Sequence, residues 1–167
     1  SGAKFLSKYA DAIFFMSLLN SNNLDFVIRE HVQGAPFVKY TGLEPISMGY
    51  LIVEPGMTAG KMGQADLVKK DDLNTAIGYG LATQFLGMKF FYLEAGSGAN
   101  EPISDEMIKS VKKNIDIPLI VGGGIRDSKT ARRKAKAGAD IIVTGTAFEK
   151  EKNLEKTLGE IIKAIEG

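Results

Sequence analysis

The amino-acid sequence predicts an α/β fold built on a parallel sheet. Five short apolar runs occur along its 167 residues, and each ends in small or polar residues. Continuous apolar runs of this length are typical of strands buried on both faces, as in parallel sheets. The segments between them carry apolar residues at helical spacing, so strands and helices alternate. The five runs are Ala12-Ile13-Phe14-Phe15-Met16, Gly49-Tyr50-Leu51-Ile52-Val53, Phe90-Phe91-Tyr92-Leu93, Leu119-Ile120-Val121 and Ile141-Ile142-Val143.

Four predicted helices have recognisable starts or ends. The first covers residues 73–86 and stops at Gly87, a favourable residue just beyond a helix. Ser104-Asp105-Glu106 opens the second with a capping serine and two acids in the first turn. Asp127-Ser128 opens the third, whose basic run Arg132-Arg133-Lys134 is predicted to be a solvated face. The fourth covers residues 154–165, and short connections between all these elements favour right-handed β/α units.

The placement of the glycines distinguishes an open doubly wound sheet from a barrel. A dinucleotide-binding sheet concentrates glycines after its first strand. A phosphate-binding barrel places them after its last strands, ahead of a short extra helix. Here the glycine clusters follow the last three strands, and Ala147-Phe148-Glu149 can start the extra helix. We therefore predict a phosphate-binding, TIM-type (β/α) barrel. Eight β/α units take about 250 residues and five take about 156, so residues 1–167 are predicted to form a single partial barrel domain with the C-terminal five units.

Composition excludes several classes of function. The formal net charge of +1 offers no electrostatic basis for binding nucleic acid or an anionic membrane. The absence of cysteine excludes disulfides, thiolate metal sites and a cysteine nucleophile, and it agrees with the cytoplasmic location that we expect. The single histidine, His31, lies in a helical pattern and excludes mechanisms that need two histidines. No apolar run approaches the roughly 20 residues of a transmembrane helix.

Two glycine clusters after the last two strands predict a phosphate site. Backbone N–H groups at glycine turns and helix N-termini supply the several donors that a phosphate needs. Glycine also permits close approach, because a Cβ would block it. Gly123, Gly124, Gly145 and Thr146 are the candidate residues. The alternative is that these glycines only form tight turns.

The segment Tyr92-Leu93-Glu94-Ala95-Gly96-Ser97-Gly98 is the second candidate. Alternation along a strand places Tyr92 and Glu94 on one side and Leu93 on the other. A carboxylate at the C-terminal end of a strand can accept a proton from a substrate hydroxyl, and a tyrosine beside it can donate to a substrate oxygen. Ser97 and the backbone of the glycine loop can contact a hydroxyl or a phosphate. The alternative is a structural glutamate that accepts hydrogen bonds from the loop.

Other polar residues near strand ends admit two interpretations. Asn20, Ser21 and Glu54 could line the mouth of the barrel, or they could cap a helix or shape a turn. Arg126 follows the glycine triplet and could approach an anion, or it could be solvated or paired with a carboxylate.

Taken together, these motifs resemble the geranylgeranylglyceryl phosphate synthase family, which includes bacterial heptaprenylglyceryl phosphate synthases. The likeness runs along nearly the whole chain, and Tyr-Leu-Glu-Ala-Gly-Ser-Gly is highly specific. The matching segments are Ser17-Leu18-Leu19-Asn20-Ser21, Gly49-Tyr50-Leu51-Ile52-Val53-Glu54-Pro55-Gly56, residues 92–99, Pro118-Leu119-Ile120-Val121-Gly122-Gly123-Gly124-Ile125-Arg126 and residues 137–146.

The resemblance implies a prenyltransferase that joins the 3-hydroxyl of sn-glycerol 1-phosphate to C1 of a long polyprenyl diphosphate such as geranylgeranyl diphosphate. The product carries the first ether bond of archaeal-type lipids, and diphosphate is released. It also implies that Glu94 is the base, with Tyr92 beside it. The implied glycerol phosphate ligands are Tyr92, Leu93, Glu94, Ala95, Gly96, Ser97 and Gly98, with Gly123, Gly124, Gly145 and Thr146 on the phosphate.

The sequence departs from the family pattern at its beginning, because the first three strands have no counterpart. The resemblance implies Mg2+ as cofactor, with an Asp and a Ser or Thr as ligands on those strands, so no metal ligand is expected in this chain. An open parallel edge would expose unpaired backbone groups, and we expect pairing with another copy or with the absent part. Two alternatives remain: another phosphate-binding barrel enzyme, such as an isomerase or lyase, and a catalytically inactive phosphate-binding chain.

Overall fold

The computed structural model describes residues 6, 7, 9–145, 148 and 153–166. Its five strands form one parallel sheet in the order β1-β2-β3-β4-β5. This order is that of consecutive units in a (β/α) barrel and confirms the predicted fold class, including all five strands. The strands are β1 Ala12–Leu18, β2 Glu44–Ile52, β3 Phe90–Glu94, β4 Leu119–Gly122 and β5 Ile141–Val143.

Helices follow or connect these strands. The four predicted helices are all present, and the two with predicted caps start directly after Ser104 and Asp127. A π-helical turn, Asp25–Arg29, leads directly into α1. The helices are α1 Glu30–Thr41, α2 Met57–Met62, α3 Leu73–Phe85, α4 Asp105–Asn114, α5 Ser128–Ala137 and α6 Leu154–Glu166. The predicted extra helix at Ala147-Phe148-Glu149 lies largely outside the described residues.

The main hydrophobic core lies between the sheet and helices α3, α4 and α5. Leu51, Phe91, Leu93 and Val121 point from the strands into this layer and are fully buried. Their neighbours in each strand point to the opposite, helix-free face, because side chains alternate along a strand. Tyr92 and Glu94 therefore lie on the helix-free face, in register with Ile120 and Gly122 of β4.

Apolar side chains on the helix-free face are exposed at both edges of the sheet. Phe14 on β1 is 50% exposed and Val143 on β5 is 41% exposed. Met16 and Ile141 lie on the same face and are also exposed. Both edge strands thus present apolar side chains that the described residues leave uncovered.

The basic run on α5 is partly buried, contrary to the prediction. Lys134 is 1% exposed and its ammonium lies 2.5 Å from Asp105 Oδ1 on α4. A salt bridge between adjacent helices therefore replaces the expected solvated position of Lys134. Arg132 and Arg133 are exposed as predicted, and Arg133 Nε also lies 3.3 Å from Asp105 Oδ2. No helix in the described part of the chain combines the length and the apolar character needed to cross a bilayer.

Candidate functional site

Glu94, the last residue of β3, is held by two donors. Its side chain lies on the helix-free face and the residue is only 7% exposed. Glu94 Oε2 accepts a hydrogen bond from the Tyr92 hydroxyl at 2.8 Å. Glu94 Oε1 accepts one from the Gly96 amide at 2.6 Å. Each carboxylate oxygen has a second acceptor site, so the carboxylate is fixed in position and can still accept a further hydrogen bond.

Two tyrosines accompany Glu94 on this face. Tyr50 lies beside Tyr92 in the register of β2 and β3, and their rings meet edge to face with centroids 4.9 Å apart. Burial raises the pKa of both hydroxyls, and the Glu94 charge raises them further. Both hydroxyls therefore stay protonated at physiological pH and serve as hydrogen-bond donors. Tyr50 was not among the predicted site residues. The signal that could have identified it is its place in β2: it lies two residues before Ile52, the register partner of Glu94, and therefore on the same face as Tyr92.

The glycine triplet after β4 makes room for this carboxylate. Gly122 is the register partner of Glu94, and a Cβ on it would collide with the Tyr92 hydroxyl and lie 2.9 Å from Glu94 Oε2. Gly123 has φ +84°, and a Cβ there would lie 2.6 Å from Glu94 Oε1. Such an approach and such a left-handed conformation both require glycine. Gly122 was missed as a site residue because its role depends on a neighbouring strand.

The turns after β3, β4 and β5 meet around one small cavity of about 120 Å³. We call it the phosphate cavity, after the ligand that the sequence predicts for it. Glu94 and Ser97 line it from the loop after β3, residues 123–126 from the turn after β4, and residues 143–145 from the end of β5. The structure thus brings together Glu94, Ser97, Gly123, Gly124 and Gly145 from the predicted site. Glycine-containing turns that meet beside a carboxylate are suited to hold a phosphate next to a group that loses a proton.

Other predicted site residues occupy different places. The side chains of Leu93 and Ala95 are fully buried in the core on the opposite face of the sheet, so only their backbone groups could reach a ligand. The Ala95 amide donates to the Gly122 carbonyl at 3.1 Å. Gly96 positions Glu94 through its amide, and the Gly98 carbonyl accepts from Arg126. Thr146 lies outside the described residues.

The ambiguous strand-end residues have structural partners. Asn20 is 4% exposed and its side chain bonds to the backbone of Ile52 and Asp66. The Ser21 hydroxyl donates to the Gly63 carbonyl at 2.6 Å. Exposed Glu54 accepts from the Lys70 amide at 3.4 Å. Asn20 and Ser21 therefore shape loops rather than line the phosphate cavity.

His31 and Arg126 also bond to backbone carbonyls. His31 Nε2 lies 2.6 Å from the Met16 carbonyl oxygen, and its ring packs edge to face on Phe15. This contact ties α1 to the edge strand β1, as expected of an ordinary helix residue. Arg126 lines the phosphate cavity and donates to the carbonyls of Gly98 and Ala99.

A second, larger cavity of about 440 Å³ lies beside β1. Its wall is mostly apolar and includes residues from both faces of β1, residues of the π-helical turn and α1, and Tyr50 and Ile52 of β2. Tyr50 belongs to this wall while its ring packs on Tyr92, which holds Glu94. Side-chain contacts from Tyr50 through Tyr92 to Glu94 therefore link the wall of the apolar cavity to the wall of the phosphate cavity.

Within the described residues, no group of three or more His, Cys, Asp or Glu side chains is arranged to hold a metal ion. The described residues therefore supply no donor set for Mg2+, whose ligands the resemblance implies on strands that have no counterpart in this chain. The carboxylate of Glu94 is engaged by Tyr92 and Gly96.

Comparison with known proteins places this geometry in a family. The chain matches the PcrB family over residues 1–165. It is 50% identical over 162 residues to the geranylgeranylglyceryl phosphate synthase of Picrophilus torridus. The aligned region covers 97% of this chain and 67% of that protein. It also matches a solved structure of wild-type GGGPS from Thermoplasma volcanium, with a TM-score of 0.92 and 51% identity. The match covers 96% of this chain and 64% of that one.

A third relative was solved with a ligand. The crystal structure of (S)-3-O-geranylgeranylglyceryl phosphate synthase from Thermoplasma acidophilum in complex with substrate sn-glycerol-1-phosphate has a TM-score of 0.95 at 44% identity, covering 99% of this chain and 67% of that one. The chain therefore spans about two thirds of the length of these relatives, between 64% and 67%. Because the family match extends over residues 1–165, this chain belongs to the PcrB family.

Proposed function

We propose that this chain carries the glycerol phosphate half of a prenyltransferase active site. In the proposed reaction the 3-hydroxyl oxygen of sn-glycerol 1-phosphate bonds to C1 of a polyprenyl diphosphate. The C1–oxygen bond to diphosphate breaks, diphosphate leaves, and the hydroxyl proton passes to Glu94. The observation that carries the proposal is the meeting of Glu94 with three glycine-containing turns at one cavity. The related Thermoplasma acidophilum enzyme, crystallised with sn-glycerol-1-phosphate, supports the same substrate here.

In this proposal Glu94 and Tyr92 have different roles. Glu94 is the proton acceptor, because its carboxylate faces the cavity and retains acceptor capacity beyond its two hydrogen bonds. Tyr92 orients the carboxylate, since its raised pKa keeps its hydroxyl protonated. Amides of the turns at Gly123, Gly124 and Gly145 would bind the phosphate of the substrate, and Thr146 belongs to the same proposed set.

The apolar cavity beside β1 is the proposed place of the polyprenyl chain. Tyr50 in its wall packs on Tyr92, which bonds to Glu94, so a chain lying there would present its reactive end towards the Glu94 side of the sheet. Apolar walls with few polar groups are typical of sites for such ligands. The diphosphate that leaves carries several negative charges, and Mg2+ would offset part of them. We place the ligands of that metal, as the resemblance implies, on strands that precede the five found here.

We further propose a homo-oligomer with a cytoplasmic location. The exposed apolar side chains of Phe14 and Met16 on β1, and of Ile141 and Val143 on β5, support association, because exposed apolar patches mark interaction surfaces. Gel filtration with light scattering tests the oligomer: a dimer or larger species is expected. A well-folded monomer would contradict it.

A direct assay tests the proposed reaction. The chain is mixed with radiolabelled sn-glycerol 1-phosphate, geranylgeranyl diphosphate and Mg2+, and the organic phase is analysed for labelled ether. Ether product supports the prenyltransferase. Calorimetric binding of sn-glycerol 1-phosphate without product favours a phosphate-binding chain that is inactive alone. A chain that binds neither substrate would contradict the proposal and favour another phosphate-binding barrel function.

A further inference from the structure

The phosphate cavity is built from three turns that belong to different strands. The turns contain Gly96 and Gly98, then Gly122, Gly123 and Gly124, then Gly145. Glycine backbones lose more conformational freedom on ordering than other residues do, so glycine-rich turns need additional contacts to stay in one arrangement. Several hydrogen-bond donors bind one anion tightly only when they are already in place before the ligand binds.

Arg126 connects the turn after β4 to the loop after β3. Its Nη2 donates to the Gly98 carbonyl at 2.7 Å and to the Ala99 carbonyl at 3.1 Å. The same two segments also touch at Gly124, where a Cβ would lie 2.8 Å from the Ala99 carbonyl oxygen. Arg126 thus bridges the two segments beside a close approach of their backbones.

Thr144 connects the turn after β5 to the turn after β4. Its hydroxyl donates to the Ile125 carbonyl at 2.8 Å, one residue before Arg126. Thr144, Ile125 and Arg126 all line the phosphate cavity. The two side chains therefore form a continuous link: the loop after β3 is joined to the turn after β4, and that turn to the end of β5.

The geometry points to Arg126 and Thr144 as positioning residues that align the three turns for phosphate binding. They act through backbone carbonyls, so the donors to the ligand remain the amides of the turns. Within the described residues Arg126 forms no ion pair with a carboxylate. This inference rests on the phosphate site of the proposed function and adds two residues to it.

Calorimetry with inorganic phosphate and with sn-glycerol 1-phosphate tests the link without requiring prenyl transfer. Thr144→Val keeps the shape of the side chain and removes the hydroxyl, whereas Thr144→Ser keeps the hydroxyl. Loss of one such hydrogen bond is expected to weaken binding of both ligands by about tenfold in Thr144→Val. Thr144→Ser should restore most of the affinity, and thermal unfolding of each variant is measured alongside.

Arg126→Met provides an independent arm, since Arg126 is exposed and the variant is expected to fold. Its affinity for both ligands should fall at least as far as that of Thr144→Val. Unchanged affinity in Thr144→Val and Arg126→Met, with wild-type binding intact, would overturn the inference and leave the proposed reaction untouched. A lower unfolding temperature without any loss of affinity would do the same, since it shows a purely structural role. The inference and the proposed reaction can also fail separately. If the wild-type chain binds phosphate but forms no ether, and both variants bind phosphate more weakly, the inference is supported and the proposed reaction is contradicted.

Discussion

The Tyr92 hydroxyl donates a hydrogen bond to Glu94 Oε2 at 2.8 Å from two positions earlier on the same face of β3. On the other side the Gly96 amide donates to Glu94 Oε1 at 2.6 Å. Because burial and the Glu94 charge raise the pKa of Tyr92, the tyrosine keeps its proton and the carboxylate is the partner that accepts. This arrangement leads directly to a prediction for each residue of the pair.

Glu94→Gln should abolish most of the ether-forming activity while leaving substrate binding nearly intact. The amide keeps the shape of the side chain but does not accept a proton, so turnover should fall by about 10²–10⁴-fold. Affinity for sn-glycerol 1-phosphate should change far less. In an enzyme that retains activity, single-turnover assays measure the rate of ether formation and calorimetry measures the affinity for sn-glycerol 1-phosphate on the same preparations. Turnover equal to wild type would remove Glu94 from the role of base.

Tyr92→Phe is the matched variant, because it removes only the hydroxyl that orients the carboxylate. It should reduce turnover by about tenfold, in keeping with the loss of one hydrogen bond to a charged group. A loss as large as that of Glu94→Gln would instead indicate that Tyr92 takes part in proton transfer.

Gly123→Ala should close the phosphate site. The added Cβ would lie 2.6 Å from Glu94 Oε1 and 2.7 Å from the Gly96 amide nitrogen, and φ at this position is +84°. The left-handed conformation alone costs a non-glycine residue roughly 1–2 kcal/mol. We expect phosphate binding to be lost in calorimetry and the urea midpoint to fall.

Gly78→Ala is the control for that substitution. Gly78 lies inside α3, its Cβ would meet nothing within 4 Å, and its φ is not left-handed. The free energy of unfolding should therefore rise by about 0.5–1 kcal/mol, with phosphate affinity unchanged. Equal losses of affinity in both variants would show that Gly123 has no special role.

The five strands and the starts of α4 and α5 were predictable from local sequence, as was the strand-end location of the candidate site. Apolar runs such as Leu119-Ile120-Val121 and caps such as Ser104 and Asp127 act within one segment. Residues whose role arises between segments were not predictable in this way. Gly122 is required because Tyr92 and Glu94 occupy the neighbouring strand. Lys134 is buried because Asp105, on another helix, compensates its charge.

Asn20→Ala should destabilise the fold without affecting phosphate binding. The Asn20 side chain donates to the Ile52 carbonyl at 2.8 Å and the Asp66 carbonyl at 2.7 Å, and it accepts from the Ile52 amide at 3.2 Å. Removing it leaves buried backbone groups without these partners, at a cost of about 1–3 kcal/mol. Urea unfolding measures this loss, and calorimetry with inorganic phosphate serves as the second readout. Weaker phosphate binding at unchanged stability would restore the alternative that Asn20 lines the mouth of the site.

The first turn of α5 should lose stability as the pH falls. Asp127 caps this helix, and its Oδ1 accepts from the Thr130 amide at 2.7 Å. That hydrogen bond lowers the pKa of Asp127 below its ordinary value of 3.8. The folded state therefore binds the proton more weakly than the unfolded state. The stabilisation is fully present above the unfolded value and is lost as the pH falls through the lower folded value.

At neutral pH, Asp127→Ala should lower the free energy of unfolding by about 0.5–2 kcal/mol. The difference from wild type should shrink as the pH drops through the folded pKa. Asp127→Asn is the matched control, because asparagine caps a helix without titrating in this range. The gap between Asp127→Asn and Asp127→Ala should therefore persist at low pH, where wild type loses its advantage. Urea unfolding of the three proteins across acidic pH measures these differences, and a penalty for Asp127→Ala that is the same at every pH would contradict the capping role of the ionised carboxylate.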